Sequence, residues 1–382
     1  VKMLVILGGN PVYNTPSDLK LSPERMKKAG TTVHLGQHFD ETAEQCYWHV
    51  GEKHFLEGWS DARAYDGTAS IVQPLIAPLY DGKNVHEVVQ LFFKENFDKK
   101  DHDIVKEYWQ KTDIKPAAAV AAKTEAKAEP KAEGKEEPKA DAKASETTKP
   151  AEPAKKEAPK AAATPAAVPA AGAPKNFEDN WRKAVHDGVI PNTAAAPKSV
   201  TATTSFLSQA ESKPAGSGTV EITILPDPSV YDGRFANNGW LQELANPLNK
   251  VTWENVALVS PRTAAKLGVN TKNDPREFAG GAQGTSFINT KGGNSFSDVV
   301  TITYQGAEIK DGVPMWVAPG QPDDVITIYM GYGRTRAGKI GTGLGYNAFD
   351  VRRSDAMNFG FGDIKKRNEQ ANVASTQIHF NM

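Results

Sequence analysis

Cysteine is almost missing from this chain: among 382 residues there is one, Cys46. A single thiol excludes an intrachain disulfide, a zinc site made of four cysteines, a cysteine-ligated iron–sulfur cluster and a C-x-x-C-H haem attachment. Any such centre has to come from another segment or subunit. A lone cysteine is most often a small buried apolar residue. Charge imbalance is missing as well. The formal net charge is −1, which leaves no basic footprint, and nucleic acid is not an expected partner. No apolar run approaches the ~20 residues that cross a bilayer. SIVQPLIAPLY is short and broken by proline, so the chain is expected to be soluble or peripheral.

From Lys115 to Lys175 aromatic residues disappear altogether, and Ala, Lys, Glu and Pro make up almost everything. Such a composition buries too little apolar surface to offset the entropy of ordering. A disordered or partly helical spacer is expected, its prolines breaking any long helix. Its charges are mixed in sign, which argues against a polybasic membrane or nucleic-acid arm.

What is present falls on either side of that spacer. The first segment, 1–114, opens VKMLVILGGNP, a buried strand of a parallel sheet that begins without an initiator Met and so reads as part of a longer protein. SPERMKKAG predicts a helix with Ser22 as N-cap, Pro23 at its first position and Gly30 as C-cap, and Thr32 to Leu35 a second strand. HFDETAEQC predicts a turn into a short helix or loop, and VHEVVQLFFKENF an amphipathic helix. Strand, helix and strand in this order make a βα unit of an open parallel sheet. The spacer, 115–175, is followed by a returning helix and linker over 176–218, the helix ending near Gly188. The last segment, 219–382, reads as a β-barrel: VEITIL, NVALVS, DVVTITYQG, GVPMWVAPG and DVITIYMG alternate as strands, with one helix at PRTAAKLG.

Several motifs carry two readings. Gly8, Gly9, Asn10 and Pro11 follow a strand, where backbone N–H groups approach a nucleotide or pterin phosphate closely; a tight strand-to-loop turn needs the same residues for geometry alone. Gly333-Arg334-Thr335-Arg336-Ala337-Gly338-Lys339 has Walker A spacing, but Ile340 stands where Ser or Thr ligates Mg²⁺, and IGTGLGYN is not a helix start. His34, His38, His49 and His54 cluster without an acidic or Cys partner at ligand spacing, so hydrogen-bonded histidines are expected over a metal site. EGWSDARAYDG concentrates polar groups beside Trp59; Arg63 and Asp66 there belong to a charge-paired network at a cleft or a subunit interface, or to a solvated loop.

The run YDGRFANNGWLQELANPLNKVTWEN over 231–255, followed by ALVSPRTAAKLGV, resembles the C-terminal β-barrel domain of the molybdopterin oxidoreductase superfamily. More narrowly, it is similar to the molybdopterin-like part of the large iron–sulfur subunit of bacterial alternative complex III. The G-x-N-P turn, then Asp40-Glu41-Thr42-Ala43-Glu44-Gln45-Cys46 and Leu56-Glu57-Gly58-Trp59, follow the superfamily's order, with Val50-Gly51 replacing its usual Leu-Pro.

That resemblance implies a partial molybdopterin-oxidoreductase-like α/β domain and a barrel, with Gly8, Gly9, Asn10 and Pro11 as a vestigial pterin site. It further implies a structural, cofactor-free part of a respiratory quinol-oxidising complex, with no catalytic or metal-ligating residue of its own. Iron–sulfur clusters and c-type haems would lie elsewhere, in an iron–sulfur segment, haem-c subunits and quinol-binding membrane subunits, on the periplasmic face of the bacterial inner membrane. Trp59, Arg63, Asp66, Trp240, Arg334 and Arg336 are the expected interface residues. The alternative is a fragment of an active molybdenum bis-pterin oxidoreductase, and a third reading is a free-standing binding module.

Overall fold

The computed structural model describes residues 1–112, 176–208, 216–269, 289–291 and 294–376. The expected spacer over 115–175 lies outside them. The chain divides into two compact units: Val1–Ser60 with Gln73–Ile104 and Pro197–Met382, and Asp61–Val72 with Val105–Ala196.

In the larger unit, β1 (Met3–Leu7) is apolar enough to enter a sheet, and the Gly8-Gly9 pair, both with positive φ, turns the chain sharply out of it. α1 (Pro11–Asn14) follows, with proline supplying the fixed φ of a first helical turn. α2 (Pro23–Met26) starts as expected, the Ser22 hydroxyl accepting from Arg25 N, but it ends after one turn. Gly30 is therefore not its C-cap. Lys28 and Ala29 donate back only three residues, which tightens the chain out of the α-helix, and Gly30 donates to Val1 O to begin the next strand.

β2 (Thr31–Gly36) pairs parallel with β1 and with β3 (Trp48–Gly51), giving an open sheet in the order β1-β2-β3. Between them, α3 (Glu41–Gln45) starts where Asp40 Oδ1 accepts from Thr42 and Ala43 N. β4 (Ser60–Arg63) and β5 (Ala69–Val72) come next, then α4 (Val85–Gln90), opened by an Asn84/Glu87 capping box. α4 stops seven residues before the end of the expected amphipathic segment, at Phe97, leaving Phe92, Phe93 and Phe97 exposed. Lys53 is largely covered between Glu87 (2.7 Å) and Asp101 (3.1 Å), an ionic cluster that ties the post-β3 loop to the first residue of α5 (Asp101–Lys111).

The smaller unit packs Trp109 of α5 and Trp181 of α6 (Phe177–Asp187), with Ala69, Ile71, Val105, Ala184 and Ile190, as its buried apolar residues. α6 ends at Gly188, φ 74, as the sequence predicts. β6 (Val189–Ile190) pairs with β5, completing a sheet in the order β4-β5-β6.

The barrel comprises β7 (Val220–Leu225), β8 (Ala257–Val259), β10 (Asn294–Tyr304), β12 (Val313–Val317), β13 (Val325–Tyr329) and β14 (Phe359–Asn372), with β9 (Asn289–Lys291) and β11 (Ala307–Glu308) appended to β10. Successive pairs run β10-β12-β8-β13-β7-β14, and β14 returns to β10, so the six strands close. Ile222, Ile224, Val300, Ile302, Met315, Ile326 and Ile328 alternate into the interior, each worth about 1.5–3 kcal/mol when fully buried. On the outer face Val256, Leu258, Trp316, Tyr329 and Val373 form a second cluster, so β8 and β12 are covered on both sides. α7 (Gly239–Glu243) and α8 (Pro261–Leu267) complete the unit, α8 held between a Ser260 N-cap and Gly268 in the left-handed region. Among the described residues no helix is long and apolar enough to cross a membrane.

Candidate functional site

The carboxyl ends of β1 and β2 open onto a cleft of about 900 Å³. Gly8, Gly9, Gly36, Gln37 and His38 form one wall, the segment from Asp232 to Trp240 the other, and Tyr13 and Arg334 also line it. This is where ligands sit in open α/β sheets.

The expected cofactor turn sits in this cleft, and several of its polar groups are turned inward. Gly8 N donates to Leu35 O (2.8 Å), and Gly9 O accepts from His34 Nε2 (3.1 Å). The Asn10 amide donates to Glu41 (2.7 Å) and its Oδ1 accepts from Thr42 Oγ1 (2.7 Å), while Asn10 O accepts the first helical bonds of α1. Pro11 serves as the first residue of that helix.

Behind the cleft lies a contact that sequence reasoning missed. Glu41, buried, receives Arg334 as a two-pronged fork (Nε 2.9 Å, Nη2 2.8 Å) and also accepts from Thr335 N (2.8 Å) and Arg336 N (2.9 Å). The loop with Walker A spacing does cradle an anion, and the anion is this carboxylate. Arg334 donates further to Gly233 O and Arg336 O and lies over the Tyr13 ring, 4.8 Å from its centroid. Tyr13 in turn donates to Tyr332 O (2.7 Å), and burial pushes its hydroxyl pKa up. Burial alone would raise the Glu41 pKa, but the Arg334 hydrogen bonds and charge outweigh it and hold the carboxyl at about 2.

The 231–255 run packs against the same loop. Asn237 Oδ1 accepts from Ile340 N, Asn238 caps α7 through Leu241 N, and Gln242 Nε2 donates to Ala236 O. Asn255 bridges Tyr329 O and Tyr346 O and accepts from Tyr346 N. Much of this unusual composition therefore has a folding reason. Trp240 does not share it, being 85% exposed at the rim of the cleft.

The remaining expected interface residues are scattered. Arg336 is exposed and fastened to Glu44 of α3 (Nε 2.9 Å). Trp59 is half-buried, its ring edge-on to His102 and its backbone held by Asp101 and Asn84. Arg63 lies over the Trp109 ring and donates to Gly67 O, and Asp66 closes a tight turn with Thr68. Of the histidines, His34 is buried with its Nδ1 3.2 Å from His49 Nδ1, while His38 and His54 line the cleft. Among the described residues no group of three potential ligands could hold a metal ion. Cys46 is half-buried just after α3, and burial raises its thiol pKa.

A second, much smaller cavity, about 10 Å³, is lined by Asp227, Asn246, Glu254 and Tyr332 among others. Burial lifts the Glu254 carboxyl pKa to about 7. Because the folded-state pKa lies above the unfolded one, Glu254 binds its proton more tightly when folded; its contribution to stability is complete below about pH 4.5 and is lost as pH rises through 7. Glu254→Gln is expected to flatten the stability profile between pH 5 and 8.5, recovering about 1–3 kcal/mol at the alkaline end. Urea titrations of both proteins at the two pH values measure this, and parallel profiles would refute it.

No protein-family model matches the chain, and no curated protein matches it. Among solved structures, acetylene hydratase from Pelobacter acetylenicus matches with a TM-score of 0.55 at 12% identity, over 96% of this chain and 44% of that one. The chain spans less than half the length of the protein it matches. At this identity the likeness is one of fold, and it supports a distant molybdopterin-oxidoreductase-like fold, a parallel sheet followed by a closed barrel.

Proposed function

We propose that this chain is a structural, cofactor-free relative of the molybdopterin enzymes serving in a respiratory quinol-oxidising complex of the alternative complex III type, peripheral on the periplasmic face of the bacterial inner membrane. Electrons would be carried by iron–sulfur clusters and c-type haems in neighbouring segments and subunits, and this chain would position them.

The observation that carries the cofactor-free part is the commitment of the cleft's polar groups. A pterin dinucleotide presents a pyrophosphate, which needs free N–H donors or cations. Here the Gly8 amide and the Asn10 side chain are spent within the chain. Arg334 is neutralised by Glu41, and Arg234 by a two-pronged contact with Asp232. With these groups engaged inside the chain, the cleft offers a pyrophosphate few cations of its own, which supports the cofactor-free reading.

The respiratory assignment rests on the resemblance of the 231–255 run. Elemental analysis of the native complex containing this chain tests both parts. Iron without molybdenum or tungsten, with haem-c subunits co-purifying, is the expected result. Molybdenum or tungsten stoichiometric with the chain would overturn it in favour of a working bis-pterin oxidoreductase.

A further inference from the structure

We propose that the cleft between the β1–β2 ends and the Asp232–Trp240 segment is a docking site for an arginine- or lysine-bearing segment of a partner protein. This deepens the scaffold reading above and rests on it.

The charge balance of the cleft sets the sign of its occupant. Asp40, Glu52 and Asp232 line it against Arg234 and Arg334, and both arginines are already held by carboxylates, Arg234 by Asp232 and Arg334 by Glu41. Glu52 is half-buried, and its carboxylate has no hydrogen-bond or ion-pair partner among the described residues. Burial holds its pKa above the usual carboxylate range. A desolvated carboxylate of this kind gains most from a cation brought against it.

The rim supplies the rest of the match. Trp240 is 85% exposed, and Phe235 on the same wall is also exposed. No packing among the described residues accounts for Trp240, whereas its neighbours Asn237 and Asn238 each accept a hydrogen bond that holds the loop. An exposed tryptophan lining the same cleft as an unpaired carboxylate is suited to an arginine- or lysine-bearing segment, whose side-chain stem can cover the ring while a cationic head meets the carboxylate. Tryptophan and arginine are also the residue types in which protein interfaces concentrate binding energy.

The test titrates the full chain with the capped peptide Ac-Gly-Arg-Gly-Arg-Gly-amide by calorimetry, alongside its glutamate counterpart and guanosine diphosphate. Expected is binding of the arginine peptide that strengthens as salt is lowered, no binding of the glutamate peptide, and a loss of at least tenfold in Glu52→Gln and in Trp240→Ala. Both substitutions fall on partly or largely exposed side chains, and unchanged circular dichroism verifies their folding. Equal affinity in both variants, or no binding of the arginine peptide at low-millimolar concentration, would overturn the docking site while leaving the scaffold reading intact. Binding of guanosine diphosphate that is abolished by substitutions lining the cleft would overturn both.

Discussion

Replacing Glu41 with alanine is expected to destabilise the larger unit by about 3–5 kcal/mol, because it leaves a buried guanidinium without its counter-charge. Arg334 is 6% exposed and pairs with no other carboxylate among the described residues, and the amides of Thr335 and Arg336 lose the same acceptor. Glu41→Gln is expected to cost less, since one amide oxygen can still accept from the fork or the loop. The double variant Glu41→Ala with Arg334→Met removes the orphaned charge, so its loss should fall well short of the two single losses added together. Urea denaturation of the four proteins gives the cycle, and additive losses would show that the pair is not coupled. The pH dependence follows with a definite sign. A carboxyl held at about 2 in the fold contributes stability that is fully present above about pH 4.5 and is lost as pH falls towards 2, a total of about 3 kcal/mol. The wild-type protein should therefore show an acid-side loss between pH 4.5 and 2 that Glu41→Ala lacks.

The sequence made the elements legible where local chemistry decides them. Ser22, Ser260 and Asn176 cap helices through their own side chains, and VEITIL and DVITIY alternate as half-buried strands do. β14 escaped notice for a physical reason. Its 14 residues, FGFGDIKKRNEQAN, carry almost no apolar alternation, because much of the strand faces solvent and Gly362 stands where no side chain has room. A Cβ on Gly362 would run into Ile222 and Thr303. A strand held by backbone pairing to β10 and β7 shows little hydrophobic period. The cleft was legible by half. The Gly8 to Pro11 turn and the Asp232 to Trp240 run each stood out by composition, but nothing in spacing places them on opposite walls. Glu41 and Arg334 are separated by 293 positions, and such a pair is visible only once the sheet and the barrel are folded against the same loop.

Gly333→Ala is expected to carry two costs at once, left-handed backbone strain and a collision with neighbouring backbone. Gly333 has φ 68, in the left-handed region, and an added Cβ would lie 2.6 Å from Tyr346 C and collide with the backbone of Asn347. The ribbon holding Arg334 is closed by Gly333 N to Leu344 O (2.7 Å) and Gly343 N to Arg334 O (2.8 Å), so neither side can yield without breaking a bond that positions the arginine. Gly343 sits in the same ribbon at φ 79, yet a Cβ there meets nothing within 4 Å. Gly343→Ala should therefore cost only the backbone strain, about 1 kcal/mol. Gly333→Ala should cost that strain plus the collision, about 2–4 kcal/mol in all. Because the displaced ribbon carries Arg334, Gly333→Ala should also weaken the acid-side stability loss attributed to Glu41, whereas Gly343→Ala should leave that loss intact. Equal destabilisation by the two substitutions would mean that left-handed strain alone governs the loop, and that its fit against Tyr346 and Asn347 does not hold Arg334 in place.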